Sequence, residues 1–414
     1  PRRLVPAPRR GVPQWGVCSR RVPSDLRPNA LAERGRRVPA AYDLTVSNPT
    51  ACGLPYPGTL LAPLSRPSGL RYRPDPRGIE AARSAVAADS LRHGARVDPG
   101  RVVLTASSSE AYSFLFKLLC DPGDAVLVPV PSYPLFEHLA SLDGVRAIPY
   151  LLDPADGFRP AIEDPLPDRV RAVIAVHPNN PTGSFVDAAG AERIASACRS
   201  TGAARIVDEV FLDYPLSRLD PPSTFAAETD VLTFVLGGLS KSVGLPQLKL
   251  SWIVASGPGP RVEEALHRLE FVADSYLSVA TPVQLALPHL LSEGRSVRRA
   301  IRERCLANLG VLTEAVSAVP ALAAPAPEGG WSALVRFPAV VSEERLALDL
   351  LEKDGVAVHP GYFFDFPSEG WLVVSLLPEP ETFAEGVSRL VARIVSHLDG
   401  AGPDGPPPSP SAGI

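Results

Sequence analysis

Six short apolar, β-rich runs occur in one continuous stretch of the chain: Val102–Leu104, Ala125–Val130, Ala172–Val176, Arg205–Val207, Val231–Leu236 and Leu250–Val254. Helical patterns lie between several of them, as at Ser109–Leu119 and Ala188–Ser200. A strand that is apolar throughout is buried on both faces, and a strand–helix–strand unit returns parallel to itself. The alternation therefore predicts an α/β fold built on a mostly parallel sheet in a large domain. From about Pro288 the pattern changes. Long amphipathic segments at Glu293–Val319, Ser342–Lys353 and Pro380–Leu398 surround short strands at Ser332–Phe337 and Trp371–Leu376. That predicts a smaller α+β C-terminal domain.

The expected organisation is a disordered tail over 1–17, an arm over 18–45, a large domain over 46–287, a small domain over 288–399 and a disordered tail over 400–414. The first segment has no periodic apolar pattern, and the last, GAGPDGPPPSPSAGI, is of low complexity. Ten arginines fall within the first 37 residues. They read as a solvated terminal segment or as a nucleic-acid arm. The 414 residues carry a net charge of only −4, too little to make nucleic acid or an anionic membrane the main partner. No apolar run approaches the ~18 residues of a membrane span. The five cysteines, Cys18, Cys52, Cys120, Cys198 and Cys305, are scattered without a CxxC pair. No disulfide framework or zinc site is expected, and a reducing cytoplasm is.

Lysine is nearly absent. Of 41 basic residues only Lys117, Lys241, Lys249 and Lys353 are lysine. Two of them stand in one segment, Gly237-Gly238-Leu239-Ser240-Lys241-Ser242-Val243-Gly244-Leu245-Pro246-Gln247-Leu248-Lys249. Where charge alone serves, this chain uses arginine, whose guanidinium cannot attack an aldehyde. A deprotonated primary amine can. Lys241 is thus a candidate for covalent attachment of an aldehyde cofactor, weighed against a lysine retained on the surface.

Three more polar groups follow strands, where an open α/β sheet takes its ligands. Thr105-Ala106-Ser107-Ser108-Ser109-Glu110-Ala111 opens a helix with capping-box spacing at Ser107 and Glu110. A helix start with small hydroxyls suits a phosphate, and it equally describes an ordinary capped helix. His177-Pro178-Asn179-Asn180-Pro181-Thr182-Gly183 holds Asn180 in a constrained loop with donor and acceptor available. Asp208, directly after an apolar strand, either meets a cation such as a protonated ring nitrogen or caps the next segment. Gly237 and Gly238 are expected to let backbone approach a ligand closely. An amine, a carboxylate, an amide and an anion cradle match the functional groups of pyridoxal 5′-phosphate (PLP).

In this order along the chain, these segments resemble the class I/II aminotransferases of PLP fold type I, which are aspartate aminotransferase-like. The resemblance rests on Tyr72-Arg73-Pro74-Asp75-Pro76-Arg77-Gly78, Ser107–Ala111, Pro131-Ser132-Tyr133, Asn180-Pro181-Thr182-Gly183, Asp208-Glu209-Val210-Phe211 and Ser240-Lys241, and spans about residues 19–398. It implies that Lys241 carries PLP as an internal aldimine and acts as general base and acid. It also implies that Asp208 pairs with the pyridine nitrogen, Asn180 bonds the ring oxygen and Tyr133 stacks on the ring. Ser108, Ser109 and Lys249 are implied to bind the phosphate. Tyr72 is implied to reach the partner subunit's site, which makes a homodimer. The implied activity is transfer of an amino group from an amino acid or amine to a 2-oxo acid. A PLP lyase or decarboxylase of the same fold, or a PLP-binding regulatory protein, stands as the alternative.

The chain departs from this pattern in three places. Lys249 stands where the family usually has arginine, and Phe211 where many members have tyrosine. Without that hydroxyl, the aldimine pKa is expected to rise. The family commonly clamps the substrate carboxylate with an arginine two residues before a serine in a late strand. Here Gly370-Trp371-Leu372-Val373-Val374-Ser375 places Val373 there. Arg336, on a neighbouring strand, reads as a substitute or as a surface arginine. Trp331, Tyr362, Phe363, Phe364, Phe366 and Trp371 are expected mainly as small-domain core, and any that face the cofactor favour an apolar substrate.

Overall fold

The structure is a computed structural model that describes residues 19–400, apart from residue 24 and residues 218–222. The tail expected over 1–17 lies outside the described residues, as does that over 400–414 except Gly400, which ends a helix.

All six predicted runs are strands, with ends displaced by no more than two residues. They join Arg146–Asp153 and Arg159–Ala161 in one eight-stranded sheet. Its order is Val102–Thr105, Ser251–Ser256, Thr233–Gly238, Ala204–Asp208, Val170–Val176, Ala125–Val130, Arg146–Asp153, Arg159–Ala161. Ser251–Ser256 runs antiparallel to both of its neighbours, and Arg159–Ala161 antiparallel to Arg146–Asp153. The other six strands point one way, so their C-terminal ends share one edge. Lys249 does not start a strand. It stands in the left-handed region at φ +49°, just after the 3-10 turn Pro246–Leu248.

Helices cover the sheet because each central strand is apolar on both faces. On one side Phe114, Leu115 and Leu269 pack on Ile174, Ile206 and Phe234. Burying each such side chain contributes roughly 1.5–3 kcal/mol. Gly237 and Gly238 serve this packing. A Cβ on Gly237 would overlap the Trp252 indole, and one on Gly238 the Ser251 hydroxyl. The two glycines let the antiparallel neighbour lie flat against this strand.

The C-terminal part carries a three-stranded antiparallel sheet in the order Ser332–Arg336, Trp371–Ser375, His359–Pro360. Side chains alternate between its faces. Val335, Leu372 and Val374 join a core with Leu312 and Val316 of helix Arg295–Ser317 and Val387 and Leu390 of helix Pro380–Gly400. Leu334, Trp371 and Val373 turn the other way, toward Phe364 and Phe366. Pro288, where the sequence pattern changes, lies inside helix Thr281–Glu293. Near the N-terminus, Tyr42–Asp43 pairs in parallel with Val356–Ala357. The amide of Ser375 then donates to Leu44 O at 2.7 Å, and its hydroxyl to Val46 O at 2.5 Å. Residues 42–46 are thereby fixed to the small sheet. Among the described residues no helix is long and apolar enough to cross a membrane.

Candidate active site

A cavity of about 240 Å³ opens where the C-terminal edge of the large sheet meets the small sheet. Six of the eight nominated residues line it: Ser108, Ser109, Tyr133, Asn180, Asp208 and Lys241. Lys249 and Tyr72 do not. Lys249 is exposed. It stands two residues before Ser251, whose register partner is Thr105, and so flanks the turn that leads to Ser108. Tyr72 is 72% exposed and lines a separate surface depression with Leu104, Phe114 and Leu277.

Lys241 sits in the four-residue helix Leu239–Ser242, directly after strand Thr233–Gly238. Its backbone is pinned from three directions. Tyr214 Oη donates to Lys241 O at 2.6 Å, Arg298 Nε to Ser242 O at 2.9 Å and Tyr56 Oη to Gly244 O at 2.7 Å. The amine itself has no hydrogen bond or ion pair with another described residue. Nζ lies 5.1 Å from the Trp331 ring centre and 5.5 Å from that of Phe211. Burial lowers the amine's pKa, and the Asp208 carboxylate opposes that shift. A held backbone and an unpartnered, desolvated amine are what a nucleophilic lysine requires.

Asp208 ends strand Ala204–Asp208 and is 8% exposed. Its carboxylate accepts from Tyr112 Oη and from the Val210 amide, each at 3.1 Å. No cation among the described residues forms a salt bridge with it. Burial pushes its pKa up to about 6, against the lowering effects of the Val210 amide, Tyr112 and Lys241. Tyr112 is itself buried, and burial together with Asp208 drives its phenol well above the ordinary value, so it remains a donor. A buried carboxylate with two hydrogen bonds and no cation leaves room for a cationic ring nitrogen.

The adjacent asparagines divide two tasks. Asn179 accepts from Ser132 Oγ at 2.7 Å and donates to Pro131 O at 3.0 Å and Thr182 Oγ1 at 2.9 Å. That ties the loop to the segment leading to Tyr133. Asn180 accepts only from Ser332 Oγ, at 3.2 Å, and keeps its amide N–H groups for the cavity. Gly183, at φ +70°, lies where a Cβ would overlap Pro327, so the loop closes tightly on the C-terminal part. At the helix start, Ser107 Oγ accepts from the Glu110 amide at 3.1 Å, while Glu110 Oε2 accepts from the Ala106 amide at 2.6 Å. Ser108 and Ser109 are the first residues of helix Ser108–Leu119, and their N–H groups have no intrahelical acceptor. Hydroxyls, free amides and the positive helix end form an anion cradle.

Val373 lines the cavity at 2% exposure. Arg336 does not replace it. It is exposed, and its guanidinium stacks 5.0 Å from the Trp371 ring centre. It shares a face with Ser332, but four residues along a strand is about 13 Å. Of the six aromatics singled out, Trp331 and Phe364 line the cavity. Phe366 and Trp371 stack on each other at 5.0 Å, Phe363 packs beside that cluster and Tyr362 is half exposed. Sequence reasoning did not nominate Tyr112, Ser332 or His359, all of which line the cavity. Tyr112 had a signal, because it stands one helical turn after Ser108. Among the described residues no group of three His, Cys, Asp or Glu is placed to hold a metal ion.

The site therefore offers an amine, an unpaired carboxylate, an amide and an anion cradle in one cavity, and these fit PLP. The model of the family "Aminotransferase class I and II" matches residues 64–390, most of the chain. The chain belongs to this family, and it is a PLP-dependent aminotransferase. It is 26% identical over 380 residues to an alanine aminotransferase of Mycobacterium tuberculosis, covering 89% of this chain and 88% of that protein. It is 31% identical over 344 residues to a capreomycidine synthase of Streptomyces vinaceus, covering 80% and 83%. Among solved structures, an alanine aminotransferase from Pyrococcus furiosus superposes with a TM-score of 0.80 at 23% identity, over 88% of this chain and 95% of that one.

Proposed function

We propose that the cavity performs transamination with Lys241 as the covalent and proton-moving residue and Asp208 as the partner of the cofactor's ring nitrogen. The observation that carries this reading is an unpartnered buried amine and an unpaired buried carboxylate lining one cavity. Bound PLP supplies an aldehyde that takes up amines and a ring that withdraws electrons from the substrate carbon. Lys241 Nζ would take the proton from the substrate's α-carbon as a base and deliver it as an acid to the carbon of the cofactor's former aldehyde. Asp208, oriented by Tyr112, keeps a positive ring nitrogen charged. Asn180 holds the ring oxygen, Tyr133 covers the ring, and Ser108 and Ser109 hold the phosphate with Lys249 flanking them.

The walls favour donors with apolar side chains. Val373, Phe211, Trp331 and Phe364 line the space, and two relatives carry the name alanine aminotransferase. A half-reaction screen tests the reading, with the cofactor's visible spectrum followed as single amines are added. Stoichiometric keto acid supports transfer. Ammonia release supports the lyase chemistry, an outcome of interest because one relative is named a synthase.

Aspartate and glutamate are expected to react weakly with the wild-type enzyme. A charge-assisted guanidinium–carboxylate pair is worth roughly 1.5–3 kcal/mol, about one to two decades in kcat/KM, and Val373 cannot form one. Val373→Arg should gain activity toward simple α-amino acids by that order. Efficient turnover of aspartate or glutamate by wild type would show that another group supplies the clamp.

The enzyme is further proposed to be a cytoplasmic homodimer. Leu70, Tyr72, Phe271 and Tyr276 are 91%, 72%, 77% and 51% exposed, apolar side chains that a second copy of the chain could cover. Sedimentation should give twice the chain mass. A fully active monomer contradicts the shared site.

A further inference from the structure

We infer that His359 receives the substrate's carboxylate in this enzyme, at the place where the small sheet offers Val373 and no guanidinium. The inference deepens the transaminase reading and rests on it. His359 and Val373 are register partners on antiparallel strands, so their side chains stand side by side on one face. Both line the cavity that holds Lys241 and Asp208. Among the described lining residues, Lys241 and His359 are the only basic ones, and Lys241 is committed to the chemistry.

The imidazole is set for a ligand. Phe363 and Phe364 pack on it with ring centres 5.9 Å away in each case, which fixes its plane. Neither ring nitrogen is hydrogen-bonded to another described residue. The charged groups around it are Asp43 on the N-terminal segment, and Asp208 and Lys241 within the same cavity. Asp43 is already engaged by the Thr45 amide at 2.8 Å and hydroxyl at 2.5 Å. Burial lowers the His359 pKa and favours the neutral ring, and Asp43 opposes that shift without occupying the ring. Val373, its register partner, is apolar and offers the ring no hydrogen bond, so the imidazole nitrogens stay free for a ligand. The imidazole gives a carboxylate one N–H bond where a guanidinium gives two. Recognition of the carboxylate is therefore weaker here, and binding it draws a proton onto His359.

The PLP-loaded enzyme is tested with two probes of equal side chain, L-phenylalanine and 2-phenylethylamine, which lacks the carboxylate. His359→Phe should raise KM for L-phenylalanine about tenfold, the loss of one charge-assisted bond, with kcat little changed. It should leave 2-phenylethylamine unaffected. His359→Gln, which retains a donor, should recover part of the loss. In wild type, the His359 ring signal in histidine-labelled NMR should titrate at higher pH once 3-phenylpropionate is added. It is assigned among the seven histidines by its absence from His359→Phe. Equal effects on both probes, or an imidazole that 3-phenylpropionate does not move, overturn the inference. If no amine reacts at all, the transaminase reading fails, and the NMR titration still decides the role of His359. If the phenylalanine variant does not fold, the signal is assigned by its absence from His359→Gln, and the titration decides in the same way.

Discussion

Lys241→Ala should abolish transamination, and Lys241→Arg should do no better. Loss of general acid–base transfer alone removes about 10²–10⁴-fold in rate, and the covalent attachment is lost with it. Arginine restores charge but cannot attack an aldehyde. The surroundings of Lys241 make the result informative. Tyr214, Arg298 and Tyr56 hold its backbone and following turn, and none of them contacts Nζ. Truncation of the side chain therefore leaves those bonds in place, so a folded, inactive protein is expected. Borohydride reduction of the wild type, followed by peptide mapping, should place the pyridoxyl group on Lys241. Label on Lys249, or measurable turnover by Lys241→Ala, would sink the assignment.

The parallel sheet was legible because its central strands are continuous apolar runs, which few other folds tolerate. The two strands not foreseen, Arg146–Asp153 and Arg159–Ala161, lie at the sheet's edge. There burial is patchy, and arginine and proline are tolerated, so the apolar signal fades. The residues at the ends of the central strands were legible for a related reason. Asp208 and Asn180 are polar groups where a buried strand gives way to a ligand edge, and Lys241 is one of four lysines in the whole chain.

What stayed hidden came from the other wall. His359 lies on a two-residue strand, and its meaning depends on Val373 opposite it. That pairing is a tertiary fact with no periodicity to announce it. The packing role of Gly237 and Gly238 stayed hidden for the same reason. A glycine pair signals close approach, but only the fold shows that Trp252 and Ser251 are what approaches. Arg336 shows the converse. It is on the right face of the right sheet, yet it stacks on Trp371 at the far end.

Asp208→Asn should retain the fold, bind PLP weakly and lose about two to four decades in kcat. Removing one partner of a buried ion pair costs roughly 3–5 kcal/mol, and each 1.36 kcal/mol is a decade in rate. An amide keeps a single acceptor oxygen, enough for the Val210 amide, while Tyr112 must turn to accept from the new NH2, and the side-chain amide cannot keep a pyridinium charged. The apoprotein offers a second, independent readout. Burial raises the Asp208 pKa from 3.8 to about 6. Between those values the folded state binds more protons than the unfolded state. Its contribution therefore makes stability fall as pH rises from about 4 to about 6. Glu209, raised by burial to about 7, adds a decline of the same sign over a higher window. The difference between wild type and Asp208→Asn, taken from thermal unfolding of the two apoproteins across this range, isolates Asp208. The variant should lose part of the slope below pH 6 and keep the part above it. Near-normal turnover by Asp208→Asn would remove Asp208 from the role assigned to it, and an unchanged pH profile of apoprotein stability would show that burial does not raise its carboxyl.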